Sequence, residues 1–255
     1  MDVYITICLM IFGALFGSFL GCMGYRIPNK IKTTYPSSFC ASCKKPLKWY
    51  MNIPIFSYIF LGGKCAYCKK KIGSIYFICE VLCCLLFGLN YILFKFELKF
   101  FLATILTCAL IVTIVSDFLY YYISDRVVII SSILIVIVNF IFLDFNSAVI
   151  KLISGVIMFF VMFGIKLMGN QMFKRESLGD GDIKLMAVIG FAHGLFNSFI
   201  SLFFASLIGL IFSLITLKKH KEGLIPFGPF LLIGALLLIY LSNTLTPYLE
   251  ELFAL

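Results

Sequence analysis

Long apolar runs alternate with short polar breaks along almost the whole chain. Runs that approach about 20 residues are typical of helices that cross a bilayer. The pattern therefore predicts an all-α polytopic membrane protein with about eight transmembrane helices. The predicted helices cover residues 3–25, 75–94, 100–115, 127–143, 149–168, 183–192, 196–217 and 231–241 or beyond.

One of these runs is unusually short. Residues 183–192 offer about ten apolar positions, roughly half of an ordinary span, which indicates either a short crossing or a re-entrant helix. We predict that the run crosses. The basic cluster Lys218-Lys219-His220-Lys221, which follows the next run, would then lie on the cytoplasmic side.

The composition excludes an ordinary soluble domain. The chain is 62% hydrophobic and 13% charged, whereas soluble domains carry about 25% charged residues. Much of the net charge of +9 lies between Arg26 and Gly73, where ten Lys and Arg occur without an acid. By the positive-inside rule this loop is cytoplasmic and the N-terminus is outside. A basic loop suits anionic lipid, so membrane lipid is a predicted partner and nucleic acid is not.

Four cysteines of this loop form two C-x-x-C pairs, Cys40 with Cys43 and Cys65 with Cys68. The cytoplasm is reducing, so a metal is favoured over disulfides. Two such pairs at this spacing are typical of a tetrahedral zinc ion with four thiolate ligands. A closed four-thiolate site has no open position, and we therefore predict a structural rather than a catalytic metal.

A pair of acids flanked by glycines stands between two apolar runs, at Gly179-Asp180-Gly181-Asp182. Glycine permits a sharp turn, which predicts that the backbone brings Asp182 close to another group. Counting the crossings places Asp117, Asp125 and this stretch at the same cytoplasmic membrane face. Ionised groups so near hydrocarbon are functional candidates by default.

Two carboxylates held close together share one proton, which is the requirement for aspartyl proteolysis. The residues alone leave other interpretations open. Asp117 and Asp125 could face water, with Arg126 as an ion-pair partner, while Asp180 and Asp182 cap a helix. An ion-coupled transporter is disfavoured, because the spans lack polar residues near the midplane and an inverted repeat.

Several further motifs occur in a fixed order from the first run to the second half of the chain. They are Gly13-x-x-x-Gly17-Ser18-Phe19-Leu20, Arg26-Ile27-Pro28, the two cysteine pairs, Leu47-Lys48-Trp49-Tyr50-Met51-Asn52-Ile53-Pro54, Ser57-Tyr58, Gly63-Lys64-Cys65, the segment from Asp117 to Asp125, and Glu176-Ser177-Leu178-Gly179-Asp180-Gly181-Asp182-Ile183-Lys184-Leu185. In this order the motifs resemble those of the bacterial type IV prepilin peptidases, aspartyl enzymes of the inner or plasma membrane with a G-x-G-D motif.

The resemblance implies that Asp117 and Asp182 form the catalytic dyad. It further implies cleavage of a short basic leader from type IV prepilins or pseudopilins at the cytoplasmic face, and N-methylation of the new terminus with S-adenosylmethionine. Residues 1–95, with the zinc loop at 26–73, would then form the methyltransferase part, and residues 96–255 the peptidase domain. The expected supporting residues are Gly179, Gly181, Asp180, Lys184, Asp125 and Glu176.

Two alternatives to this bifunctional enzyme stay open on the sequence. In one, the chain is a peptidase only, and the zinc loop is a structural dock for the substrate. In the other, it is a non-catalytic assembly factor that binds prepilins through the basic loop. The sequence does not predict an oligomeric state.

Overall fold

The computed structural model describes residues 1–33, 35–174, 178–216 and 226–253. These ranges form nine α-helices and one 3-10 turn, and they contain no strand, which confirms the all-α prediction. The helices are α1 Asp2–Arg26, α2 Phe56–Phe60, α3 Ser74–Phe94, α4 Leu98–Tyr120, α5 Asp125–Phe142, α6 Phe145–Phe173, α7 Asp180–His193, α8 Leu195–Thr216 and α9 Gly228–Phe253, and the 3-10 turn is Trp49–Asn52.

The eight predicted apolar runs correspond to α1 and to α3 through α9. In the described part of the chain, α1, α3, α4, α5, α6 and α8 are long and apolar enough to cross a membrane. The apolar part of α9, Gly228–Ser242, is shorter. With 14 residues, α7 is about 21 Å long, against a hydrocarbon core of about 30 Å. A multi-pass helical protein is thereby confirmed, and the number of crossings is approximate.

The chain divides into two compact units, and the division falls within α4. Unit 1 consists of residues 1–95 and 111–124, and unit 2 of residues 96–110 together with the described part of 125–255.

In unit 1, close packing between α1 and α3 depends on small residues, as the Gly13-x-x-x-Gly17 motif predicts. A Cβ atom at Gly13 would lie 2.7 Å from the carbonyl oxygen of Cys83, and one at Gly17 would lie 2.8 Å from the Cβ of Cys83. Neither position has room for a side chain. The two helices therefore approach at backbone distance.

Arg26, the last residue of α1, organises the beginning of the long loop. Its side chain is buried, and its guanidinium donates hydrogen bonds to the carbonyl oxygens of residues 32, 33, 36 and 37 at 2.8–3.3 Å. A charged fork donor makes several strong bonds of this kind from one group. Arg26 thus fixes a loop segment that has no regular secondary structure.

We expect Arg26→Gln to loosen this loop, because the variant loses the charge-assisted bonds to the four loop carbonyl oxygens. A loss of about 3 kcal/mol in the free energy of local opening would speed proteolysis of the loop by about 100-fold. Chymotrypsin digestion in detergent measures the rate. Arg126→Gln, which removes the same charge at an exposed position, is the control, and equal rates for the two variants would contradict this role of Arg26.

In unit 2, α7 packs against α5, α6, α8 and α9. Its close approach to α6 rests on a pair of glycines, since a Cβ at Gly190 would lie 2.6 Å from the Cα of Gly155. The carbonyl oxygens at the C-terminal end of α7 accept hydrogen bonds from neighbouring helices. The Asn139 side chain donates to Phe191 at 2.8 Å, and Lys151 donates to Ala192 at 3.0 Å. These donors satisfy two carbonyl groups that have no partner within the helix, where a short helix ends among apolar neighbours.

Candidate metal centre and candidate catalytic acids

The two C-x-x-C pairs form two turns with the same backbone hydrogen bonds. In each turn the amide of the first cysteine donates to the carbonyl of the residue five positions later, and the residue after the second cysteine is left-handed and donates back to the first cysteine. The left-handed residues are Lys44 and Lys69, both with φ of 59°. The predicted pair of tight turns is present.

The two turns bring their four sulfur atoms together. The Sγ atoms of Cys40, Cys43, Cys65 and Cys68 all lie within 4.8 Å of one another, and those of Cys40 and Cys68 are 3.9 Å apart. Four thiolates about 2.3 Å from a tetrahedral ion stand about 3.8 Å from each other. All four cysteines are free rather than disulfide-bonded. This donor set can hold one metal ion.

Backbone amides around the cluster favour the thiolate form of one cysteine. The amide of Cys68 bonds to the Cys65 sulfur and, with smaller contributions from its neighbours, lowers the pKa of Cys65 to about 6. Deprotonated sulfur is the form that binds metal.

The glycine-flanked acids lie at the start of α7, where the backbone differs from the expected sharp turn. Gly179 is the residue before the helix, with an extended conformation (φ −68°, ψ 143°), and Gly181 is already helical. A hinge conformation that only glycine adopts is therefore absent from these two positions. What Gly179 provides is space, since a Cβ there would lie 3.0 Å from the Asp182 carboxylate.

The acids Asp180 and Asp182 have different surroundings. Asp182 is 9% exposed, whereas the Asp180 side chain is largely exposed and pairs with Lys166 of α6 at 2.5 Å. This contact with Lys166 lowers the pKa of Asp180. Asp180 therefore forms an ion pair with a neighbouring helix. The residue at the N-cap position of α7 is Gly179, which has no side chain to cap the helix.

A second ion pair joins α5 to α7. Lys184 contacts Asp125 at 2.5 Å, so the predicted supporting residues Lys184 and Asp125 lie together. Arg126, the partner considered for Asp125 on the sequence, is not the one observed. Glu176, also expected to support the site, lies outside the described residues.

Lys166 is a residue of this region that the sequence reasoning missed. It lies inside the apolar run at residues 149–168, which the sequence predicts to be a membrane-spanning helix. A cation in such a run is rare and usually faces a partner within the protein. The presence of a lysine in an apolar run was therefore the sequence signal that could have identified Lys166.

Asp117 lies in unit 1, in the last turn of α4, and is 5% exposed. The helix ends just after it, where left-handed Tyr121 (φ 51°) donates its amide to the Asp117 carbonyl at 2.9 Å. Asp117 is thus a buried acid at the C-terminal end of a helix, whereas Asp182, in unit 2, is a buried acid in the first turn of one.

Family models match both halves of the chain. The bacterial peptidase A24 N-terminal domain matches residues 11–94, and the type IV leader peptidase family matches residues 104–214. A prepilin leader peptidase/N-methyltransferase from Bacillus subtilis is 30% identical over 94% of this chain and 96% of its own length. The chain belongs to the type IV leader peptidase family.

Other relatives with the same name agree with this membership. Those of Pseudomonas aeruginosa and Vibrio cholerae are each 28% identical, and the alignments cover 96% and 94% of this chain and 93% and 98% of the relatives. No solved structure matches the chain. The family resemblance inferred from the motifs is confirmed, and family membership together with the apolar helices supports a multi-pass inner-membrane protein.

Proposed function

We propose that this protein is a membrane aspartyl endopeptidase that removes the leader peptide of type IV prepilins or pilin-like proteins and N-methylates the new terminus. The observation that carries the proposal is the nearly full-length match to relatives named for both activities, with both family models in order along the chain. Co-expression with a prepilin in a bacterium that lacks its own leader peptidase tests it. Leader removal is expected, and persistence of the full-length prepilin would contradict it.

Asp117 and Asp182 are the proposed catalytic acids. In this chemistry one carboxylate takes a proton from the attacking water, while the protonated partner polarises the peptide carbonyl and later protonates the leaving amine. The G-x-G-D motif and the burial of both acids support the assignment. The exposed, ion-paired Asp180 lacks this burial.

The helix ends support different roles for the two acids. Negative charge is stabilised at a helix N-terminus and disfavoured at a C-terminus. Asp182 lies in the first turn of α7 and Asp117 in the last turn of α4. We assign Asp182 as the base that accepts the proton of water, and Asp117 as the acid that starts protonated.

The ion pairs of unit 2 are proposed to position the start of α7. Lys166–Asp180 ties it to α6, and Lys184–Asp125 ties it to α5. Both pairs are partly exposed, so water screens the attraction and each pair contributes little to stability. Asp125 and Glu176 also supply negative charge that attracts a basic leader.

Substitution of Gly179 tests whether the Asp182 carboxylate needs the space beside it. Gly179→Ala and Gly179→Ser both add a Cβ only 3.0 Å from that carboxylate. We expect kcat/KM for leader cleavage to fall by about 10- to 100-fold in both, because small displacements of a catalytic group are costly. Serine is a good N-cap and alanine a poor one, so a purely structural effect would separate the two variants.

The control for this experiment is Gly164→Ala. A Cβ at Gly164, in the interior of α6, would have no described atom within 4 Å. We expect its cleavage rate to match the wild type. Wild-type cleavage by Gly179→Ala would contradict the role of Gly179.

The proposed orientation follows the charge distribution. The ten Lys and Arg between Arg26 and Gly73 place the loop in the cytoplasm and the N-terminus outside. Two crossings later, through α3 and α4, the chain is back on the same side, and α5 and α6 return it there again before α7. This puts the catalytic acids at the cytoplasmic face of the plasma membrane.

We assign zinc to the four-cysteine cluster, as a structural ion. Four sulfurs at these separations suit tetrahedral zinc and leave no open position for a substrate. S-adenosylmethionine is the proposed methyl donor and supplies an electrophilic methyl group when bound. Residues 1–95 would carry this activity and residues 96–255 the peptidase.

A further inference from the structure

Glu80 is an acid that neither the metal centre nor the peptidase uses. It lies on the second turn of α3, half-buried within a membrane-length helix. Its carboxylate accepts a hydrogen bond from the Ile55 amide at 2.7 Å. Within the ranges that the structure describes, no Lys or Arg forms an ion pair with it.

A cavity of about 260 Å³ opens beside this carboxylate within unit 1. Its walls come from α1, the cysteine-bearing loop and α3. Five aromatic residues are among its lining, and two of them, Tyr58 and Phe77, are stacked with ring centroids 4.8 Å apart. Lys70 and Lys71 also line the cavity.

The cavity is lined by one acid, Glu80, and by the basic residues Arg26, Lys70 and Lys71. This combination suits an organic ligand that carries both a positive and a negative group. A carboxylate withdrawn from water is costly without a counter-charge, and a cationic ligand supplies one. Aromatic rings attract cations through their π faces and also pack against planar heterocycles. The volume of about 260 Å³ is slightly below the usual range of about 300–1,000 Å³ for small-molecule pockets and is far larger than a bare metal ion needs.

We propose that this cavity binds the methyl donor, with the sulfonium group of S-adenosylmethionine facing Glu80 and the aromatic side chains packing against its adenosyl part. The assignment rests on the proposed methyltransferase function. The donor is a sulfonium cation that also carries a carboxylate and a planar purine. Glu80 matches the sulfonium cation, the two lysines match the carboxylate, and the aromatic lining matches the purine.

The charge of the ligand changes when the methyl group is transferred. The amine nitrogen of the mature terminus forms a bond to the methyl carbon, the bond from that carbon to sulfur breaks, and the amine loses a proton to solvent. The electron pair stays on sulfur, so the product S-adenosylhomocysteine is a neutral thioether at that atom. A pocket built around Glu80 therefore binds the donor more tightly than the product.

Glu80→Gln tests this charge preference by a binding measurement. Equilibrium dialysis of the full-length protein in detergent gives the Kd for S-adenosylmethionine and for S-adenosylhomocysteine. We expect the wild type to favour the sulfonium by about tenfold and Glu80→Gln to lose most of that preference. Glu80→Gln is a conservative change for the local structure, because the glutamine side chain keeps an oxygen that accepts the Ile55 amide hydrogen bond.

Gly21→Leu tests the cavity itself and does not depend on Glu80. Gly21 lines the cavity, and a Cβ there would make only ordinary contacts, at 3.8 Å to Tyr76 and 3.9 Å to Cys79. A leucine would extend into the cavity, and we expect both ligands to bind at least about tenfold more weakly while leader cleavage is retained. Gly164→Leu, in open space on α6, is the matched control and should bind like the wild type.

The outcomes separate this assignment from the proposed function. A wild type that methylates, with an unchanged preference in Glu80→Gln or unchanged binding in Gly21→Leu, would overturn the pocket assignment alone. Loss of methylation in Glu80→Gln with the preference retained would assign Glu80 to the acceptor amine, and this too would overturn it. A wild type that cleaves but neither binds the donor nor methylates would instead contradict the proposed methyltransferase function.

Discussion

Replacement of either Asp117 or Asp182 by asparagine is expected to abolish leader cleavage, with kcat/KM lowered by about 10³-fold or more. Asparagine keeps the shape of the side chain but can neither accept the proton of the attacking water nor donate one to the leaving amine. Since the acid and the base act in the same step, each variant alone should show nearly the full loss. Densitometry of prepilin processing by the purified protein measures the rate.

Asp180→Asn is the matched control for these variants. Asp180 is two positions from Asp182 but is exposed and ion-paired with Lys166, so its replacement removes only an ion pair that water screens. We expect cleavage within about threefold of the wild type. A fully active Asp182→Asn enzyme, or an Asp180→Asn enzyme as inactive as Asp182→Asn, would contradict the assigned chemistry.

Removal of the metal is expected to unfold the cysteine-bearing loop. Between α1 and α3 the regular structure is limited to the 3-10 turn and the five residues of α2, so little apolar packing holds this segment. A structural zinc ion contributes on the order of 10 kcal/mol to such a fold. We expect Cys65→Ser to lower the zinc content from about one per chain to near zero, to expose the loop to chymotrypsin and to abolish methyl transfer.

Cys8→Ser provides the control for metal removal, because Cys8 is exposed on α1 and lies outside the cluster. Its zinc content and its proteolysis should match the wild type. Elemental analysis after purification gives the zinc content. A Cys65→Ser protein that retained zinc and a protected loop would contradict the structural role of the metal.

The helices and the metal cluster could be predicted from the sequence because both depend on local pattern. Apolar runs set the helix positions to within a few residues at most ends. Asp144 lies in the polar break between α5 and α6, and its carboxylate accepts a hydrogen bond from the Ser147 amide, which caps α6. The repeated cysteine spacing forces each pair into a tight turn, so the four sulfurs converge.

The side-chain partners between helices could not be predicted in the same way. Which acid pairs with Lys166 or Lys184 depends on how each helix is rotated and shifted against its neighbours, and an almost uniformly apolar run carries little information about rotation. Asn139 and Lys151, which complete the end of α7, stand in runs whose periodicity does not single them out. The prediction of a sharp turn at Gly179 was wrong for a related reason. The sequence shows that a glycine is present, but it does not show whether the glycine is needed for a turn or for a close contact.

The central claim is that one chain removes the leader and methylates the new terminus, using Asp117 and Asp182 for the first step. Intact-protein mass spectrometry of a prepilin incubated with the purified enzyme and S-adenosylmethionine tests it most directly. The product is expected to have lost its leader and gained the mass of one methyl group, and with Asp182→Asn the prepilin is expected to stay intact. A product that is cleaved but unmethylated, or a wild-type reaction that leaves the prepilin uncleaved, would contradict the claim.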